Sequence, residues 1–424
     1  MGMTQSITKE NLINKAREVF TSNTLQGFSH WKNTDYKFIA PSNKEYVFQW
    51  LWDTAFHAIV LSHFDNDWAK EEILNLLKGQ GEDGFIPHII FWGENKKLPH
   101  WAYIESMISV RPRTSSITQP PVLGMTIEKI YEKDHDKEFL KKTVDKIALH
   151  HKWLLDNRDN DQDGLISIIS PNESGMDELP VFQVAANYTG EKTAMLHYTY
   201  RKGDFKNYRH KFNSKKILEL DYFNVEELLF NTIFIESTRS ISRLYLELDK
   251  QEESDYFKNV ADNCENSLLT KCWDENDEIF YSLYSNNEKM AKVKTVASLV
   301  PLLLDGLNGD KIDKLVNNHL LNENEFWTPY PFPSVAKNEP YYYPNETPSY
   351  KIKLLWRGPT WISTNWLIIK GLRKHGYNAI ADGVVLRMLQ MIEREGFREY
   401  YNPETGAGYR RENFGWSTLL IDLL

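Results

Sequence analysis

The sequence predicts an all-α protein, a closed toroid of helix hairpins with short strands confined to its loops. Apolar residues recur at helical spacing over most of the 424 residues. Long helical stretches are followed by an acidic turn and then a short extended piece. No Pro/Ser-rich linker divides the chain, so a single domain over residues 1–424 is expected. A solenoid of stacked helix pairs is the alternative, but the irregular unit lengths favour a ring.

Residues 67–78 place Trp68, Ile73, Leu74 and Leu77 on one side, with Lys70, Glu71 and Glu72 elsewhere. Residues 136–155 repeat the pattern through Phe139, Leu140, Val144, Ile147, His151 and Leu154. A longer helix is expected over 225–248, with Phe230, Phe234, Ile241, Leu244, Tyr245 and Leu248 as its stripe. Pro359 suits the first turn of a helix reaching Lys374, and Gly376 can close it. That helix is apolar nearly all round (Trp361, Ile362, Trp366, Leu367, Ile368, Ile369), which predicts an inner, buried element. The amphipathic stretch 378–395 is its expected outer partner. The acidic units read WLLDNRDNDQDGLISI (153–168), CWDENDEIFYSLY (272–284) and MIEREGFREYYNPETGAG (391–408), and their loops should gather at one end.

Bulk properties narrow the function. Fifty Lys and Arg stand against 59 Asp and Glu, a net charge of −9, with no long basic run. That balance argues against nucleic acid or an anionic membrane as partner. The first twenty residues lack an apolar run of signal-peptide length and no later segment reaches transmembrane length, so a cytoplasmic protein is expected. Cys264 and Cys272 read as reduced thiols. No zinc spacing, phosphate-binding loop, dinucleotide fingerprint, HExxH or nucleophile elbow occurs, so no catalytic metal or cofactor is expected. The 13 Trp, 22 Tyr and 21 Phe must mostly fill the core. Trp92, Trp101, Trp327 and Tyr341 to Tyr343 fall instead in Gly/Pro-broken segments, where rings suit recognition of a ligand such as a sugar.

What remains for chemistry is carboxylates in constrained loops. SPNESGMDELP holds Glu173, Asp177 and Glu178, and Glu399 lies among Phe397, Tyr400 and Tyr401. A carboxyl in apolar surroundings has its pKa raised, which suits a general acid or a partly desolvated base. Composition and spacing do not choose among these candidates.

Five blocks in order do choose: FQWLWDTAFHAIVLSHFD (48–65), TQPPV (118–122), ESGMD (173–177), WRGPTWISTNWLIIKGLRKHGY (356–377) and EYYNPETGAGYRRENFGWS (399–417). Together they resemble glycoside hydrolase family 63, and within it the compact bacterial mannosylglycerate and glucosylglycerate hydrolases. The resemblance implies an (α/α)6 barrel and an inverting exo-α-glycosidase acting on a small α-glycoside, mannosylglycerate or glucosylglycerate. It implies Asp177 as general acid and Glu399 as general base. Trp52, Asp53 and Gln119, with the backbone around Gly175, fall where the family holds its sugar, and Trp356 and Trp361 match aromatic walls of that pocket. Asn172 departs from the family, whose members usually carry Trp before ESGMD, and that loosens any inference about the sugar.

A charged aglycone would need a cation. Arg201, in the Tyr-rich, Gly-broken segment 198–204, is the candidate, on a loop expected to fold over the pocket mouth. DNDQDG alternates Asp159, Asp161 and Asp163 like the start of an EF-hand loop, but its twelfth position is Ser170 rather than Glu. A structural calcium there competes with a plain Asp/Asn turn. Two rivals remain: a glycosidase of the same family acting on a neutral disaccharide or short oligosaccharide, and a non-catalytic sugar-binding protein.

Overall fold

The computed structural model describes residues 8–93, 108–190, 192–346 and 354–424. Helix α1 (Lys9–Asn23) starts at Thr8, whose hydroxyl accepts the Asn11 N–H, and leads into the hairpin β1 (Thr24–Ser29) and β2 (Thr34–Ile39). Strand β3 (Gln49–Trp50) pairs with β4 (Ile89–Ile90) and runs into α2 (Leu51–Leu61), every residue of which is buried. Helix α3 (Asn66–Leu77), capped by Asp65, returns with one face buried. The alternation continues through α4 (Leu123–Asp134) and α5 (Lys137–Arg158). Next come β5 (Ser167–Ile168) and three helices, α6 (Pro180–Ala185), α7 (Thr193–Arg209) and α8 (Ser214–Leu220). Strand β6 (Val225–Glu226) precedes the long pair α9 (Leu228–Glu247) and α10 (Gln251–Lys271). A 3-10 helix at Val296–Leu303 is followed by α11 (Gly309–Lys314), which continues as a π-helical stretch, Leu315–Leu320. The pair α12 (Ile362–Lys374) and α13 (Asn378–Glu395) comes next, and a 3-10 helix at Gly415–Leu423 ends the chain.

Packing closes these elements into a ring. Helices α2, α4 and α9, the 3-10 helix 296–303, α12 and the 3-10 helix 415–423 each pack on the next, and the last packs on α2. Outside them, α3 lies on α2, α5 on α4, α10 on α9, α13 on α12 and α1 on the closing 3-10 helix. The expected (α/α)6 barrel is present, with α12 inner and α13 outer. Inner helix α2 is buried throughout and α9 from Leu228 to Ser242, whereas outer helices bury one stripe.

The connections are asymmetric. From inner to outer helix the chain needs only residues 62–65, 135–136, 248–250 and 375–377. From outer to inner it takes 78–122, 159–227, 272–295 and 396–414. All five sequence blocks therefore reach the same end of the barrel, where the inner helices begin. Short strands brace these loops: a four-stranded antiparallel sheet in the order β10 (Lys289–Met290), β9 (Leu283–Tyr284), β6, β5, and two hairpins, β7 (Trp273–Asp274) with β8 (Ile279–Phe280) and β11 (Arg398–Tyr401) with β12 (Gly408–Glu412).

Several boundaries differ from the sequence reading. Pro359 lies outside α12, which starts at Ile362. Thr360 is instead paired with Tyr401 in both directions, at 2.8 and 3.0 Å, and the Pro359 carbonyl accepts the Ser334 N–H. Gly376, at φ +83°, does follow the end of α12. The stretch 225–248 opens as strand β6, and Glu227 caps α9 through the Phe230 N–H. Trp92 is a core residue: its ring stacks on Tyr36 and its Nε1–H donates to Gln49 at 2.6 Å. Trp101 lies outside the described residues. Among the described residues no helix is long and apolar enough to cross a membrane.

Candidate active site

The acid loop is built outward from one buried pair. Arg158, the last residue of α5, meets Glu173 through two hydrogen bonds of 2.6 and 2.7 Å, with both residues 1 % exposed or less. Glu173 also accepts the N–H groups of Thr118 (3.1 Å) and Ile169 (2.8 Å), so it ties TQPPV to the acid loop. Its oxygens are fully engaged, which removes Glu173 as a proton donor. Glu178 accepts the Leu355 N–H at 3.0 Å and lies 3.4 Å from His197, joining the loop to the WRGPTW block. Asp177 stands between them, half-buried, with Tyr200 of α7 close enough to feel its charge.

Gly175 shows why the loop needs a glycine. Its φ is +70°, and a Cβ there would lie 2.4 Å from the indole of Trp52. The Trp52 N–H donates to Gln119 Oε1 at 3.3 Å. Trp52, Gln119 and Gly175 are thus brought together. From Trp52 a chain of ring contacts runs edge-on to Trp416 (5.5 Å) and on to Trp361 (5.4 Å), which stacks on Trp356 at 3.9 Å with 9° between planes. Trp361 also packs on Tyr400, the neighbour of Glu399.

Glu399, on β11, is 2 % exposed. Tyr46 donates to its Oε1 at 3.1 Å, and among the described residues Oε2 has no hydrogen-bond partner and lies 3.6 Å from Arg410 Nε. Burial pushes its pKa up, while Arg410 and the Tyr46 hydroxyl oppose that rise. Asp53, at the start of α2, is also buried, and its Oδ1 has no hydrogen-bond partner. Burial, with a further contribution from the charge of Glu399, pushes Asp53 up to about 8. It is therefore mostly a neutral acid at pH 7, able to donate as well as accept.

Arg201 is not on a loop. It lies within α7, which runs through Gly203 unbroken because Asp204 is tied to Ser170 (3.0 Å) and Asn207 to the Ile169 carbonyl (2.9 Å). A single mid-helix Gly costs only about 1 kcal/mol against Ala, too little to outweigh those anchors. One guanidinium nitrogen, Nη1, is buried without a hydrogen-bond partner among the described residues.

Carboxylate oxygens of Asp159, Asp161 and Asp163 lie within 4.8 Å of one another. Asp159 accepts the N–H groups of Asp163 and Gly164, as an Asp turn would. Ser170 is engaged by Asp204 and does not complete an EF-hand. Two acids from elsewhere face the loop: Glu288 shares Lys271 with Asp163 (2.8 and 2.7 Å), and Glu226 is 6 % exposed with Oε2 unpartnered. Burial first, and then the charges of Asp163, Asp161 and Glu288, push Glu226 up to about 9. The three aspartates are a donor set that suits a hard divalent cation, with the Lys271 ammonium held by Asp163 beside them.

Sequence reading missed Tyr46, Glu45 and Arg410. Tyr46 and Glu45 lie just before the FQWLWD block, and Arg410 is visible only once 398–412 is recognised as a hairpin with Glu399 on one strand.

Comparison with known proteins gives the same picture. Residues 46–417 match the model of the mannosylglycerate hydrolase MGH1-like glycoside hydrolase domain. The chain is 30% identical to a mannosylglycerate hydrolase of Thermus thermophilus, over 92% of this chain and 97% of that protein. It is 25% identical to a glucosylglycerate hydrolase of Mycolicibacterium hassiacum, over 89% and 91%. The crystal structure of a GH63 mannosylglycerate hydrolase from Thermus thermophilus, in complex with Tris and D-glycerate, superposes with a TM-score of 0.83 at 29% identity, covering 97% of this chain and 99% of that one. The chain is a glycoside hydrolase and belongs to the MGH1-like mannosylglycerate hydrolase family within glycoside hydrolase family 63.

Proposed function

We propose that this single-domain enzyme hydrolyses an α-glycoside of glycerate, mannosylglycerate or glucosylglycerate, with inversion at the anomeric carbon. One observation carries the mechanism. Glu399 is a buried carboxylate with one oxygen held by Tyr46 and the other, among the described residues, without a hydrogen-bond partner. That is the state of a base waiting for a water. Asp177 protonates the leaving oxygen, and Glu399 takes a proton from the water attacking the opposite face of the sugar. Their carboxyls should stand roughly 6.5–9.5 Å apart to admit that water. Asp53 and Gln119 hold sugar hydroxyls beside Gly175, and Trp52, Trp356 and Trp361 form the apolar wall. The names of the relatives support glycerate as aglycone. The decisive assay incubates the enzyme with mannosylglycerate, glucosylglycerate, trehalose, kojibiose and nigerose and follows the product anomer by NMR. Release of β-sugar from a glycosylglycerate is expected; release of α-sugar, or turnover of the neutral disaccharides alone, would refute this reading.

Arg201 receives the glycerate carboxylate. Its support is the buried, unpartnered Nη1 on a helix whose neighbouring Tyr200 senses Asp177. Losing a charge-assisted hydrogen bond costs about 1.5–3 kcal/mol, or about 10- to 150-fold in kcat/KM. Arg201→Ala should show that loss, mainly in KM, with glycosylglycerates and little with a neutral aryl glycoside. Equal losses on both substrates would make Arg201 structural.

Asp159, Asp161 and Asp163 take a structural calcium ion. Calcium at a hundredfold above its Kd should stabilise the fold by about 2.7 kcal/mol. The melting temperature should rise with calcium, fall with EGTA and lose this response in Asp161→Asn. A melting temperature indifferent to both reagents would leave the loop an Asp turn. The enzyme works in the cytoplasm, in keeping with the unpaired thiols of Cys264 and Cys272; recovery of the activity outside the cytosolic fraction would contradict this.

A further inference from the structure

We propose that Arg410 is the positioning residue of Glu399, fixing the carboxylate's direction and keeping it ionised for its work as a base. The inference rests on the reading of Glu399 as that base. Its starting point is an irregular hairpin. Arg398 pairs with Glu412 and Tyr400 with Tyr409, so Arg410 and Arg411 together oppose the single residue Glu399. That is a β-bulge, which twists the strand and re-aims a side chain. Arg410 adopts φ +54°, a left-handed conformation uncommon for a residue with a side chain. Its backbone N–H is held there by Glu346 Oε1 at 3.2 Å. The bulge brings Arg410 Nε to 3.6 Å from Glu399 Oε2 and its Nη2 to 3.6 Å from Glu45 Oε1. Glu45 is shared with Arg411, whose Nε donates to its other oxygen at 2.5 Å.

The 3.6 Å separation matters chemically. It is too long for a hydrogen bond but short for a half-buried ion pair. A guanidinium donating directly to Oε2 would engage one of its two lone pairs and compete with the water for the other. At this distance its charge stabilises the carboxylate while both lone pairs stay available. The other groups facing Glu399 do not replace it. Tyr46 donates to Oε1 only, and Glu45 adds a charge of the wrong sign. Asp53, on α2, is mostly protonated at pH 7. The backbone N–H of Arg411 opposes protonation less than Arg410 does, and the Trp416 indole donates to the backbone carbonyl of Glu399, not to its carboxylate.

The test is the pH profile of kcat/KM on a glycosylglycerate, measured on the full chain. An opposite charge at this range depresses a carboxyl by about 1–3 pH units. Arg410→Gln should therefore move the acid limb up by that amount, with the rate recovering at higher pH and KM little changed. Arg410→Lys, which keeps the charge, should return most of the shift. If Arg410→Gln does not fold, Arg410→Met, which keeps the apolar stem and removes the charge, gives the same reading. An acid limb that stays in place, including a uniform loss at every pH, overturns the proposal. Glu399→Gln separates the two inferences. If it turns over like wild type, the base assignment falls; if it is inactive while the limb of Arg410→Gln is unmoved, only the role of Arg410 falls.

Discussion

Asp177→Asn and Glu399→Gln should each lower kcat by about two to four orders of magnitude, the usual contribution of a positioned acid or base. The two losses have different causes. An amide at 177 has no proton to give to a departing glycerate oxygen, so a substrate with a good leaving group, such as a glycosyl fluoride, should recover much of the rate. An amide at 399 has no basic lone pair for the water, so leaving-group activation should not help it. Folding should survive both changes. Ionised Glu399 is unfavourable in its buried site because its folded pKa lies above the unfolded value. By linkage, its contribution to stability improves as pH falls through the folded pKa and worsens as pH rises. Near neutral pH, Glu399→Gln removes that cost, so its melting temperature should equal or exceed that of wild type. Turnover near wild type in either variant would remove that residue from the mechanism, and a lowered melting temperature in Glu399→Gln would contradict the electrostatic account.

The helix pairing was legible because its signal is periodic and repeated. Residues 361–372 read as apolar all round and 378–395 as one-sided, and they are inner and outer elements. Two of the inner elements were not legible as such. VASLVPLL at 296–303 and GWSTLLIDL at 415–423 are short apolar runs, one broken by Pro301, and periodicity alone does not place such runs in a ring. At the site, composition and spacing found the loops but not the division of labour among their carboxylates, which only the resemblance of the five blocks implied. What separates Glu173 from Asp177 is Arg158, fifteen residues upstream and brought to Glu173 by the end of α5. Arg201 was misplaced because Gly and Tyr in YTYRKGD weaken the local helical signal, while the contacts that preserve the helix come from Ser170 and Ile169 on the acid loop.

Breaking the Arg158–Glu173 pair should be the largest single loss of stability among these residues. Both side chains are buried, and removing one partner strands the other's charge, which costs about 3–5 kcal/mol. Glu173→Ala also leaves the N–H groups of Thr118 and Ile169 without their acceptor. It should therefore cost at least as much as Arg158→Met, read from the urea midpoint at constant m-value. The damage should reach catalysis, because the same carboxylate fixes the spacing between TQPPV and the loop bearing Asp177. At a temperature where Glu173→Ala is still folded, kcat should fall further than KM rises, since a displaced acid is missed most in the transition state. The double variant Arg158→Met, Glu173→Met discriminates the cause. Replacing a buried pair by apolar side chains of similar volume is often neutral or stabilising, so most of the stability should return. The activity should stay low, because methionine cannot accept the two backbone N–H groups that place the acid loop. Recovery of both would show that the pair acts only as packing, and a loss below about 1 kcal/mol in either single variant, the range of an exposed pair, would contradict its burial as a charged unit.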